Sequence, residues 1–147
     1  MTVKLTRQYK FAASHRLHSD ALSEVENQAT YGKCNNPFGH GHDYVLQVVT
    51  RGRVDPVTGQ LLNIDRLDQV VDEALLRDFR NSNLNDLAVF QTLVPTTENL
   101  AAVAEQRLRE AWPCAYPNGE VLFSGVRILE TARNSFETSQ LRNAKSS

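Results

Sequence analysis

Apolar and polar positions alternate from the start of the chain. Val3, Leu5, Tyr9, Phe11 and Ala13 share one parity, broken only by Arg7, and His15 continues the same face. A period of two predicts a first strand. A second begins at His40 and runs to Thr50, with His40, His42, Tyr44, Leu46 and Val48 on one face and Val45 and Val49 on the other. Between them, Ser19 to Gly32 is polar and unpatterned and reads as a long loop. Gly52, Asp55-Pro56 and Thr58-Gly59 are turn residues, so the chain is expected to fold back at Leu61-Leu62.

The period then changes. Leu67, Val70, Val71, Ala74, Leu75 and Phe79 follow helical spacing from Ile64 to Phe79, with Asn63 or Asp65 placed to cap. A second helix is predicted from Thr97 to Ala111, preceded by Pro95, capped by Thr96 or Thr97 and striped by Leu100, Val103, Ala104 and Leu108. Pro113, Pro117 and Asn118-Gly119 then end it, leaving Cys114 in a loop as an inert, partly buried thiol. Glu120 to Thr131 alternates again, and its parity switches at Ser124-Gly125, the mark of a bulge. Asn134 to Glu137 begins a short last strand, and 141–147 reads as a frayed tail. The expected architecture is α+β, in the order β-β-α-α-β-β: four antiparallel strands with two helices on one face, in one domain over 1–140.

Composition narrows the function classes. The 147 residues carry a formal charge of −1, which gives the chain no electrostatic claim on nucleic acid or an anionic membrane. No apolar run approaches the roughly 20 residues of a membrane helix, and Met1 to Lys10 resembles neither a signal nor a transit peptide. A cytoplasmic location is the expectation.

The chain holds four histidines, and three of them share a face. His40 and His42, one residue apart on a strand, project to the same side, and His15 ends the first strand. If the two strands pair, three imidazoles converge at one end of the sheet. Three nitrogen ligands with an open fourth position make a catalytic zinc site. Gly39 and Gly41 flank the pair and let backbone crowd a ligand. Cys34 lies on the loop leading in. The plainer alternative is that each histidine is a satisfied surface or core group, since a His-x-His pair also arises by chance. A closed structural zinc would need Cys34 or a carboxylate as fourth ligand.

Phe11-Ala12-Ala13-Ser14-His15-Arg16-Leu17, followed by Tyr31-Gly32-Lys33-Cys34-Asn35-Asn36-Pro37-Phe38-Gly39-His40-Gly41-His42-Asp43-Tyr44, resembles the 6-pyruvoyl-tetrahydropterin synthase family. Asp55-Pro56 with Thr58-Gly59, Thr96-Thr97-Glu98-Asn99 and Glu130-Thr131 extend the match from about Val3 to Glu137. The resemblance implies the tunnelling fold (T-fold), with subunits closed into a homo-hexamer (a dimer of trimers) whose active sites lie between subunits. It implies that His15, His40 and His42 hold zinc, that Cys34 moves a proton, that Glu130 anchors the pterin's guanidine-like edge, and that Thr97, with Thr96, helps hold the ring. Helix capping is the ordinary use of Thr96 and Thr97, and Glu130 would otherwise be an exposed strand-end carboxylate. The implied reaction is a lyase reaction: 7,8-dihydroneopterin triphosphate becomes 6-pyruvoyl-tetrahydropterin with loss of triphosphate. Zinc would act as the Lewis acid, a Cys34 thiolate of lowered pKa as the base, and magnesium would accompany the triphosphate.

One departure matters. The family places an Asp-His pair before an Asn-Leu; aligned on Asn83-Leu84, this chain has Arg80 and Asn81 there. Asn81 cannot titrate. Arg80 could instead lower the Cys34 pKa or grip phosphate, and His18, three residues past His15, is not an obvious replacement. Five residues separate Cys34 from His40, as in the pyruvoyl-forming branch. The alternatives are a 6-carboxytetrahydropterin synthase of deazapurine (queuosine) biosynthesis and a zinc-containing pterin-binding homologue without turnover.

Overall fold

Strands β1 (Thr2–His15) and β2 (His40–Arg53) pair antiparallel along their whole length, in a register that runs from Thr2 opposite Arg53 to His15 opposite His40. The computed structural model describes residues 1–139, so the expected frayed tail at 141–147 lies outside them. Alternation does what the period of two requires: Phe11, Ala13, Tyr44, Leu46 and Val48 are buried on one face, while the intervening positions point the other way. The helices cover the buried face. The first of them to do so, α2, begins at Ile64–Val71, continues through a π-helical stretch at Asp72–Leu76 and ends at Arg77–Phe79; α3 spans Thr97–Ala115. Leu67, Val71, Leu75 and Phe79 join Leu100, Ala104 and Leu108 in one core with the sheet. Asn63 caps α2 by accepting from the Arg66 amide at 3.1 Å.

Among the described residues the sheet has five strands where four were expected, in the order β3-β1-β2-β4-β5. The added strand β3 is two residues, Ser82–Asn83, paired parallel to Ala13–Ser14 at the end of β1. Two residues carry no readable alternation, and only the position of β1 makes them a strand. Strand β4 (Val121–Leu129) holds the expected bulge: Gly125 lies opposite Val49 and Phe123 opposite Thr50, so Ser124 is the extra residue. Gly125 sits at φ 148°, and a Cβ there would lie 3.1 Å from the Thr138 hydroxyl, which fixes glycine at the bulge. Strand β5 is Ser135–Glu137.

Two further expectations are corrected. The polar stretch after Ser19 contains a helix, α1 (Glu24–Tyr31), closed by a capping box in which Ser23 and Glu26 each accept from the other's amide at 3.1 Å. It buries only Asn27, so it lacks the apolar stripe that reveals α2 and α3. Helix α3 does not stop at Ala111 but carries Pro113 inside its last turn. Trp112 holds that turn: its indole N–H donates to the Val121 carbonyl at 2.9 Å, and its ring packs against Tyr116 and Phe123. Cys114 is therefore helical and exposed, rather than a partly buried loop thiol.

Candidate metal centre

The register of β1 on β2 brings the three imidazoles together. His15 lies directly opposite His40, and Ala13 opposite His42, so all three rings stand at one end of the ladder on the core-facing side. Their centroids are 4.7 to 5.3 Å apart and the rings meet edge to face. Gly39 makes the close entry possible: at φ 66°, a Cβ there would come within 2.7 Å of the His15 carbonyl oxygen. The turn that carries Cys34 (a 3-10 stretch, Gly32–Asn35) places the thiol sulfur 3.5 Å from His40 Nε2. Glu130 stands one residue past the last β2–β4 pair, Val45 opposite Leu129, and so falls on the face of Tyr44 and His42. Its Oε1 lies 3.2 Å from His42 Nε2 and 3.7 Å from His15 Nε2.

Two groups of donor atoms result, each with all atoms within 4.8 Å of one another: His15, Cys34 and His40, and His15, His42 and Glu130. His15 is common to both. It is buried, and its Nδ1 donates to the Pro95 carbonyl at 2.9 Å, with the Tyr44 hydroxyl 3.2 Å away. A carbonyl can only accept, so the proton is on Nδ1 and the Nε2 lone pair is directed at the cluster. Among the described residues, Nε2 of His15 and Nε2 of His42 are buried without a hydrogen-bond partner. Buried polar atoms are nearly always satisfied, and two orphaned imidazole nitrogens beside a thiol and a carboxylate fit a divalent cation. Burial lowers the pKa of both rings, favouring the neutral ligand form.

In the chain alone, burial, and then the charge of Glu130, push the Cys34 thiol pKa up. Arg80 does not offset this, because its guanidinium donates to Asp72 at 3.2 Å on the surface. Asn81, with the left-handed φ of 56°, gives its amide to the Ala12 carbonyl at 2.7 Å. His18 packs instead against Asn35, 3.2 Å from its amide nitrogen, and against Asp20 at 3.4 Å. Thr96 caps α3, accepting from the Asn99 amide at 3.2 Å. Thr97 differs: it is buried and its hydroxyl has no hydrogen-bond partner among the described residues.

Sequence reasoning missed the residues that hold this arrangement in place. Asn85 grips both the amide and the carbonyl of Arg16 (2.7 and 2.9 Å), Leu17 donates to the Cys34 carbonyl at 2.8 Å, and the Arg16 guanidinium donates to the Asn35 carbonyl at 3.2 Å. A chain of contacts thus runs from Asn85 to the thiol's turn. Each spans too many positions for any local pattern to show it. Beside His40 a depression of about 700 Å³ opens, lined by Gln28, Gly32, Lys33, Asn35, Asn36 and Pro37.

Known proteins resemble this chain over most of its length. The family model described as 6-pyruvoyl tetrahydropterin synthase matches residues 4–140. The 6-pyruvoyl tetrahydrobiopterin synthase of Poecilia reticulata is 42% identical over 131 residues, covering 88% of this chain and 85% of the relative. That of Homo sapiens is 39% identical over 132 residues, covering 89% and 87%. The solved 6-pyruvoyl tetrahydropterin synthase of Caenorhabditis elegans superposes with a TM-score of 0.85 at 36% identity, covering 96% of this chain and 97% of its own. This chain, with its five-stranded sheet and its histidine cluster at one end, belongs to the 6-pyruvoyl tetrahydropterin synthase family.

Proposed function

We propose that the chain is a zinc-dependent, cytoplasmic 6-pyruvoyl-tetrahydropterin synthase, a lyase that converts 7,8-dihydroneopterin triphosphate to 6-pyruvoyl-tetrahydropterin with release of triphosphate. The observation that carries this reading is the meeting of two donor groups at His15, one with Cys34 and His40 and one with His42 and Glu130, with two buried imidazole nitrogens left without a hydrogen-bond partner among the described residues. His15, His40 and His42 would hold the zinc, which when bound supplies Lewis acidity toward the oxygens of the substrate side chain. Cys34 would take and return the side-chain proton. The cation's charge would reverse the upward push of burial and Glu130 on the thiol. Glu130 would accept two parallel hydrogen bonds from the pterin's guanidine-like edge, and the unpartnered Thr97 hydroxyl would help hold the ring, with Thr96 keeping the helix start in place. Magnesium would accompany the triphosphate in solution.

The free strand edges support assembly. Among the described residues, β1 from Thr2 to Phe11 and β4 from Val121 to Ser124 have a neighbouring strand on one side only. Long free edges invite pairing with another copy. A hexamer of two stacked trimers, each built from the 1–140 domain, would close them. Light scattering is expected to give that mass, and a monomer at micromolar concentration would count against it.

The deciding experiment is product analysis with purified protein and 7,8-dihydroneopterin triphosphate. The pyruvoyl product is expected. A carboxy product with acetaldehyde would assign the queuosine-type reaction instead. Tight binding without consumption, the reading that Arg80 and Asn81 favour, would make this a pterin-binding homologue.

A further inference from the structure

Of the four histidines, only His18 stands outside the metal cluster. It lies in a segment that is pinned on both sides. Asn85 holds both backbone groups of Arg16, at 2.7 and 2.9 Å, and Leu17 donates its amide to the Cys34 carbonyl at 2.8 Å. Beyond His18, the buried Asn27 of α1 accepts from the Ser19 amide at 2.8 Å and donates to the Ser19 carbonyl at 3.0 Å. The His18 backbone is thus fixed, and its ring meets Asn35, the residue after Cys34. Asn35 is buried, with 8% of its surface exposed. Its side-chain nitrogen donates to the Leu17 carbonyl at 2.8 Å, and a carbonyl only accepts, so the amide cannot be turned round. The second proton of that nitrogen has His18 Nδ1 at 3.2 Å. Nδ1 is therefore the acceptor, which puts the ring's proton on Nε2, on the side of Asp20 Oδ1 at 3.4 Å.

We propose that His18 is a positioning residue for Cys34, on the reading above in which the thiol moves the side-chain proton. As the Nε2–H tautomer it takes the second amide proton of Asn35. By fixing that side chain it holds the Gly32–Asn35 turn, and with it the thiol sulfur, 3.5 Å from His40 Nε2. Without the acceptor, a buried N–H of Asn35 has no partner, and such a group is relieved only by movement or by entry of water. Either one loosens the turn at the residue next to the thiol. Proton transfer needs its partners held within hydrogen-bond reach, so the loss falls on kcat. The proposed zinc ligands lie on β1 and β2, outside the turn, and keep their metal.

The experiment compares zinc-loaded wild type with three variants. His18→Leu has no acceptor, His18→Gln carries its polar group past the Nδ1 position, and His18→Asn places an oxygen where Nδ1 stood. For each, kcat and KM with 7,8-dihydroneopterin triphosphate, zinc content, circular dichroism and hydrogen exchange of the Leu17 amide are measured. In His18→Leu and His18→Gln, kcat is expected to fall about 10-fold, with KM and zinc within about two-fold of wild type and faster exchange at Leu17. His18→Asn is expected to recover both kcat and protection. Should His18→Leu misfold, His18→Gln against His18→Asn carries the same comparison. Wild-type kcat in the Leu and Gln variants would overturn the proposal, and with faster exchange it would show a turn fastened for the fold alone. Equal losses in all three variants would also overturn it, by assigning the effect to the ring's bulk rather than its acceptor. A wild type without turnover would sink the synthase reading and any catalytic role for His18 with it, and the exchange at Leu17 would then tell separately whether His18 holds the turn.

Discussion

Two polar clusters interrupt the same apolar face of the sheet, and they are built on opposite principles. Midway along β1, Arg7 and Tyr9 reach under α2 to Asp68. The guanidinium donates to both carboxylate oxygens at 2.8 and 2.9 Å, and the Tyr9 hydroxyl donates at 2.7 Å. The three groups satisfy one another. At the end of that strand and the start of β2, His15 and His42 bury nitrogens that have no hydrogen-bond partner among the described residues. In the sequence both look like polar breaks in an apolar parity. The difference is whether the donors and acceptors balance within the fold: a balanced cluster fastens a helix to a sheet, and an unbalanced one waits for a ligand.

Emptying the histidine end should have the largest effect. His40→Ala is expected to lose most of its zinc by metal analysis and, with it, turnover, while remaining folded. Zinc equal to wild type would remove the metal assignment. Cys34→Ala should keep its zinc and lose turnover by about 10²- to 10⁴-fold, the usual range for a proton-transfer group. Full activity in that variant would make the thiol a bystander. Tyr44→Phe removes only the hydroxyl beside His15 Nδ1. Zinc affinity should fall about 10-fold, the lower end for such supporting groups.

The balanced cluster should answer in stability alone. Tyr9→Phe removes one hydrogen bond and should cost about 1 kcal/mol, with zinc content and kcat unchanged. Asp68 adds a pH signature. The hydrogen bonds from Arg7 come first among the causes that hold its carboxyl below the usual carboxylate range; partial burial opposes them, and the Tyr9 hydroxyl adds to them. The unfolded chain therefore takes up the proton first as pH falls. The stabilisation is complete at neutrality and erodes below about pH 4, as pH passes through the folded-state value. The Tm difference between wild type and Asp68→Asn should be constant above about pH 5 and shrink below pH 4. A difference that persists at pH 2 would mean that packing, not charge, holds the cluster.

What the sequence disclosed and what it withheld divide along the same line. Long strands and the helices α2 and α3 were legible because each buries a stripe, and periodicity records burial. Helix α1 was hidden because it buries only Asn27, although its Ser23-x-x-Glu26 box was present in plain view. Pro113 concealed the end of α3, where contacts of Trp112 override a local breaker. At the site, His15, His40 and His42 could be read as a group because strand spacing aims them at one end, and Cys34 because its loop leads into His40. The support from Pro95 to His15 spans 80 positions, and the approach of Glu130 to His42 depends on the β2–β4 register and its bulge. Neither leaves a trace in any local window. Arg7 was visible only as a fault in the pattern, and Asp68 explains it.

The smallest expected effect lies at the missing relay, where the structure changes how the experiment should be done. Restoring both relay residues together is unsound. Arg80 pairs with Asp72 at 3.2 Å, so Arg80→Asp would set two carboxylates against each other and confound stability with chemistry. Asn81 is the cleaner position. Its φ of 56° is left-handed, a conformation that histidine adopts more readily than most residues, and its amide bond to Ala12 belongs to the backbone, so Asn81→His keeps it. Asn81 also lines a depression together with Ser14, Gly41 and His42. A titratable ring there stands near the proposed metal site without entering the core. If proton return to or from Cys34 limits the rate, Asn81→His should raise kcat a few-fold, steepen its dependence on pH near neutrality, and leave zinc content and Tm where they were. An unchanged kcat with an unchanged pH profile would show that solvent already meets the need.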